Sequence, residues 1–173
     1  MPRILTDGEI DNLLLEEKPL PGNWETMLER HQKQNNAFCQ GSLEVRGVSG
    51  KIFRIIVRQA INNLEDFSII LVFTESDGTE YRLSRFNGRH PSNHTNRFEK
   101  RYRLADASFR DAFHIHRATE RYQLEGLEID GYADPTTTYN SFDSALRTFL
   151  DFFNFTRPME SLPLLDSLGG NRP

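Results

Sequence analysis

Between residues 37 and 87 the chain runs through four strand-length segments in succession, with gaps too short for anything but antiparallel neighbours. They fall at 37–46, 51–60, 67–74 and 80–87. Val48-Ser49-Gly50 separates the first pair and Ser76-Asp77-Gly78 the last pair; Asp-Gly is a strong short-range hairpin signal. Phe67 to Phe73 is almost wholly apolar, the pattern of a central strand covered on both faces. A further strand is expected at 112–117, flanked by loops rich in Asn, Ser and Arg.

Such a sheet needs cover, and helical periodicity at both ends of the chain supplies it. Thr6-Asp7-Gly8-Glu9 matches a capping box, and Ile10, Leu13 and Leu14 follow at helical spacing, so a short helix is expected over 7–17. Pro19 and Pro21-Gly22 stop it. Asn23 then caps a second short helix with Trp24, Met27 and Leu28 on one face and His31 turned to solvent. Near the end, Asn140 or Ser141 caps a helix in which Phe142, Ala145, Leu146, Phe149, Leu150 and Phe153 form one apolar face. The expected fold class is α+β: an antiparallel sheet of about five strands, with two short N-terminal helices and one C-terminal helix packed on it. Thirteen Phe among 173 residues suit a core of that kind. Residues 1–153 are expected to form a single domain, and 154–173 a poorly ordered tail whose Leu162, Leu164, Leu165 and Leu168 could dock on the domain or on a partner.

Several function classes drop out early. No apolar run approaches the roughly 20 residues that span a bilayer, and residues 1–9 lack the basic-then-apolar order of a signal peptide. A cytoplasmic protein without membrane contact is the expectation. The single cysteine, Cys39, excludes an intramolecular disulfide and a multi-cysteine zinc site. Net charge is −4, but unevenly placed. From Tyr81 to Arg121 ten Arg or Lys face four Asp or Glu, giving +6, while the other eleven bases and twenty-one acids give −10. A +6 segment attracts a polyanion such as RNA, or an acidic partner protein.

Four of the five histidines, His90, His94, His114 and His116, lie in that segment. In His114-Ile115-His116 the two rings are two residues apart, so a strand points both to one face. Cleavage of RNA through its 2′-hydroxyl needs a base, an acid and a cation at the phosphate. Histidine titrates near neutrality and suits the first two roles, and guanidinium suits the third. On this leading reading, which needs no cofactor, His114, His116 and Glu120 are catalytic residues, and Arg85, Asn87, Arg117 and Tyr122 bind phosphate or orient the substrate. A second reading collects His90, His94, His114 and His116, with Glu120, around a divalent metal such as zinc. A third makes the segment a non-catalytic module that binds a partner protein, antitoxin- or immunity-like.

The run from Tyr81-Arg82-Leu83-Ser84-Arg85-Phe86-Asn87-Gly88-Arg89-His90 through His94-Thr95-Asn96 to Phe113-His114-Ile115-His116 and Glu120-Arg121-Tyr122 resembles an uncharacterised bacterial domain family of unknown function. Members carry an arginine-bearing strand, an Asn-Gly turn, a His-x-Asn, a His-x-His strand with downstream Glu and Tyr, and a terminal helix. The order is similar, more distantly, to TumE-type toxins of toxin–antitoxin pairs. That likeness implies a bacterial, toxin-like role. This chain carries an additional stretch, 97–110, between the two blocks and lacks the doubled histidines of the toxins.

Overall fold

The capping box forms at Thr6: its hydroxyl accepts from the Glu9 amide, and the Glu9 carboxylate accepts from the Thr6 amide. The computed structural model describes residues 3–29, 31–32, 37–90, 92–105 and 107–158. The elements are α1 (Asp7–Leu15), β1 (Lys18–Pro19), α2 (Trp24–Met27), β2 (His31–Gln32), β3 (Phe38–Arg46), β4 (Ile52–Ala60), β5 (Phe67–Thr74) and β6 (Glu80–Asn87). They continue with β7 (Asn93–Thr95), α3 (Arg97–Arg101), β8 (Ser108–Arg110), β9 (His114–Arg117), α4 (Glu120–Leu124), β10 (Tyr132–Pro135), α5 (Phe142–Phe152) and β11 (Phe155–Thr156).

The fold is α+β, around an antiparallel sheet in the order β10-β9-β6-β5-β4-β3-β2. All five expected strands lie in it, and β2 and β10 extend its edges. His31 is exposed as expected, but on strand β2 rather than on a helix, because α2 ends at Met27 after a single turn. The β5–β6 connection is the Asp-Gly hairpin: the Glu75 carbonyl accepts from the Gly78 amide, and Gly78 adopts φ 86°, which glycine tolerates without a Cβ clash. Two smaller pairs sit outside the main sheet, β1 with β11 in parallel and β7 with β8 antiparallel.

One face of the sheet carries the core. Phe53, Ile55 and Val57 on β4 stand opposite Phe73, Leu71 and Ile69 on β5, and α5 lays Phe149 across them with its ring 5.3 Å from that of Phe86, edge-on. Ser141 caps α5 through the Ser144 amide. On the other face Ile56 and Ile70 are half-buried and Val72 is buried, so β5 is covered fully on one side and in part on the other. Cover on that second face is concentrated at the β6–β9–β10 end, where the excursion β7–α3–β8 folds over it.

A bulge decides what points there. Leu71 pairs with Ser84 and Val72 with Arg82, leaving Leu83 as an extra residue on β6. Tyr81, Leu83 and Phe86 are therefore all buried in the core despite their uneven spacing. The same break in parity turns Arg85 and Asn87 to the second face. Gly88 is not a turn residue: its amide continues the ladder to the Phe67 carbonyl, and a Cβ there would collide with the Glu65 carbonyl.

The fold continues past Phe153 into β11. The Lys18 amide donates to the Asn154 carbonyl at 2.9 Å and the Leu20 amide to that of Thr156 at 2.8 Å, with Phe155 buried beneath them. The tail's four leucines lie outside the described residues. Among the described residues no helix is long and apolar enough to cross a membrane.

Candidate metal centre

Strand register builds the site. β6 and β9 place Asn87 opposite His114 and Arg85 opposite His116, and period-two geometry sends all four side chains to the second face. Ile115, between the histidines, faces the core. On that core side the Tyr139 hydroxyl clamps the strand ends, donating toward the Asn87 and His114 carbonyls at 3.0 and 2.8 Å. From above, β7 brings His94 and β8 brings Phe109. The His94 ring stacks on Phe109 at 5.0 Å and meets the His116 ring edge-on at 4.8 Å. His114 and His116 lie 5.1 Å apart.

Hydrogen bonds fix the proton on each ring. His114 Nδ1 lies 2.8 Å from the Ala112 carbonyl and His116 Nδ1 lies 2.9 Å from the Asp130 carbonyl. A carbonyl only accepts, so both Nδ1 atoms carry hydrogen and both Nε2 atoms present lone pairs. For His94 the arbiter is Asn96, whose amide is oriented by the backbone of Ala133: Oδ1 accepts from its N–H at 2.8 Å and Nδ2 donates to its carbonyl at 2.9 Å. The same Oδ1 is 2.9 Å from His94 Nε2, which must therefore donate, and His94 Nδ1 is left with the lone pair. This is the outer-shell pattern of metal-binding imidazoles, with one nitrogen held by an acceptor and the other freed as a ligand.

The three rings converge, with ligand atoms all within 4.8 Å of one another. Ligands about 2.1 Å from a tetrahedral zinc stand about 3.4 Å apart, so shifts of about 1 Å would close the set. The Asn87 amide nitrogen bridges the two lone pairs, 3.1 Å from His114 Nε2 and 3.3 Å from His116 Nε2. Its positive hydrogens stand where a cation would sit, while the buried Asn87 Oδ1 has no partner. Electrostatics favour the neutral form throughout. Burial, helped by the neighbouring Arg85 and imidazoles, pushes His116 down to about 2 and His114 down to about 4, against the pull of their carbonyl acceptors. Burial lowers His94 too, opposed by its bonds to Asn96 and to the Gly131 backbone.

Arg85 is the least satisfied member of the group. Its Nη2 is 3.1 Å from His116 Nδ1, which already carries a hydrogen for the Asp130 carbonyl and cannot accept. Its Nε lies 3.4 Å from Asp130 Oδ2 as an ion pair, yet neither atom forms a hydrogen bond. Burial lowers the Arg85 pKa and raises that of Asp130, each only partly opposed by the other's charge. Beside them opens a cleft of about 600 Å³, lined by His94, His116, Arg82, Arg85, Arg97 and the acidic Glu128 and Asp130, among others.

Other expected site residues go elsewhere. Glu120 accepts from the Asp7 amide and its own amide donates to Asp7, so it joins the starts of α1 and α4 and does not reach the histidines. Arg117 is exposed, and strand alternation places it on the face opposite His116. Tyr122 lines the cleft with its ring, but its hydroxyl is committed to the buried carboxylate of Glu99, which also binds Arg121. His90 packs against His114 at 5.4 Å with Nδ1 on Ser92 Oγ, and is not among the three convergent rings. Sequence alone assigned no role to Asn96 or Asp130. Asn96 closes the His-x-Asn that begins at His94; Asp130 had no local signal, since its place depends on β10 docking. Comparison with known protein families, curated proteins and solved structures gives no match, so the geometry of this cluster stands as the functional evidence.

Proposed function

We propose that the protein is a metal-dependent enzyme of hydrolytic type, built on a divalent-cation centre of the zinc class held by His94, His114 and His116. The observation that carries this reading is the convergence of three imidazoles, each with its other nitrogen occupied by a fixed acceptor. Three histidines leave coordination positions open, as in catalytic rather than structural zinc sites, and the cleft lies against two of the three. A cation so held supplies a polarised water or polarises a substrate oxygen.

Metal-independent cleavage of RNA is the second reading, supported by Arg85 lying against His116. It asks the same rings to exchange protons near neutrality, whereas burial favours their neutral form well below that range.

The test is titration of tag-free, chelator-stripped protein with zinc by calorimetry. One equivalent should bind, and His94→Ala and His116→Ala should each weaken binding by at least on the order of a hundredfold. Equal, weak uptake by wild type and both variants would refute the centre. RNA cleavage that persists in chelator would then favour the second reading. With neither zinc uptake nor cleavage, the histidines become scaffold for a binding module.

A further inference from the structure

We infer that the cleft beside the histidines binds the phosphoryl group of a phosphoester, with Arg82, Arg85 and Arg97 as its cationic wall. This deepens the metal-centre reading and rests on it, because the phosphoryl group is placed between these guanidinium groups and the cation.

Unused donors mark the cleft. Arg85 is half-buried, with Nε ion-paired to Asp130 but without a hydrogen-bond acceptor and Nη2 facing a ring nitrogen that is itself a donor. Guanidinium donors that lack acceptors are costly, and an anion entering the cleft would supply acceptors to those of Arg85. Arg82 and Arg97 line the same cleft, both exposed, and neither forms an ion pair among the described residues. By contrast Arg89, Arg101 and Arg121 in the same basic segment are paired with Asp111, Glu125 and Glu99. Two of the segment's cations without an ion pair among the described residues, Arg82 and Arg97, therefore sit at this cleft beside Arg85.

Charge and shape then choose the anion. Three guanidinium groups face two carboxylates, Glu128 and Asp130, and Asp130 is spent on orienting Arg85. Adding a divalent cation leaves a surplus of about three charges, more than a single carboxylate can neutralise. A phosphoryl group offers several oxygens, so that some can face the cation while others accept from the planar guanidinium forks. A cleft of about 600 Å³ also has room for the remainder of a nucleotide-sized molecule. The phosphoryl group can belong to a mononucleotide or to an RNA strand, and the binding experiment separates them.

Zinc-loaded wild type is titrated with adenosine 5′-monophosphate, with a short single-stranded oligoribonucleotide and with succinate, alongside Arg82→Gln, Arg97→Gln and the double variant. Zinc affinity of the variants is measured first and should be no weaker than that of wild type, since neither arginine is hydrogen-bonded to a histidine among the described residues. Each single variant should then bind the phosphate probes about tenfold more weakly, and the double variant about a hundredfold. Succinate should bind far more weakly than either probe. Tighter binding of the oligonucleotide, falling steeply with salt, identifies a strand as the ligand; equal binding of both probes identifies a terminal phosphate. Wild-type affinity retained in the double variant, or succinate binding as well as the phosphates, overturns the inference while leaving the metal centre standing. Failure of wild type to take up zinc overturns the metal-centre reading, and with it the bridging of phosphoryl to cation.

Discussion

A histidine that folds neutral makes a protein vulnerable to acid, and here two of them do so in contact. Their folded-state values, about 4 for His114 and about 2 for His116, lie below the ordinary 6.5. Between those limits the unfolded chain binds protons that the folded chain refuses. Stability is therefore undiminished above about pH 6.5 and falls as the pH drops through 6.5 toward 4, continuing lower for His116. Each imidazole contributes a slope approaching about 1.4 kcal/mol per pH unit. Urea midpoints of the metal-free protein at pH 7.5, 6 and 5 should fall in that order, and His116→Gln should flatten the trend by roughly a third to a half, His94 adding its own smaller share. An identical slope in the variant would mean that the protons bind elsewhere. The pairing of His114 with His116 was legible from two-residue spacing on a strand. Their depth was not, because burial comes from β7 and β8, whose placement no local pattern announces.

At the scale of elements, the excursion β7–α3–β8 is what turns an Arg/His-bearing sheet face into a site. Its anchor is Asn96, which satisfies both backbone groups of Ala133 on the edge strand β10 and fixes the His94 proton. Asn96→Ala would strand a buried N–H and C=O and free the His94 ring. We expect a loss of about 2–4 kcal/mol in chemical denaturation, with zinc affinity falling about 10- to 100-fold. Ser141→Ala is the matched control: it removes the α5 cap at about 1 kcal/mol and should leave zinc affinity unchanged. If the two variants lower zinc affinity equally, Asn96 acts through global stability alone. The main strands, the capping box at Thr6 and α5 with its cap could be read from the sequence because period and cap chemistry are local. Even the bulge left a trace, in apolar residues at 81, 83 and 86 where strict alternation would demand 85. The five-residue helices α3 and α4 left none, being too short for periodicity to show and held by tertiary bonds such as those of Glu99.

For the whole molecule, the closing contact joins the two ends of the fold. Lys18, fully buried, donates from Nζ to the carbonyls of Leu14, Glu16 and Phe153 and lies 4.6 Å from the centre of the Phe53 ring. Burial lowers its pKa to about 8, against the pull of Glu16. β11 seals this arrangement by pairing with β1 and covering it with Phe155. A domain boundary at residue 153 is what the prolines and glycines beyond it suggest, since composition reports the chain's local preference and not the partner waiting in β1. Cutting there would remove one buried Phe, worth about 1.5–3 kcal/mol, and two backbone hydrogen bonds at about 1 kcal/mol each. A chain ending at Phe153 should therefore melt roughly 10 °C below one ending at Pro158. Phe155→Ala in the full chain should reproduce about half of that difference or more, because burying the ring stabilises the fold at least as much as the two hydrogen bonds together. Equal melting temperatures for the two truncations would show that β1 and Lys18 hold without the second strand, and that the fold closes at α5.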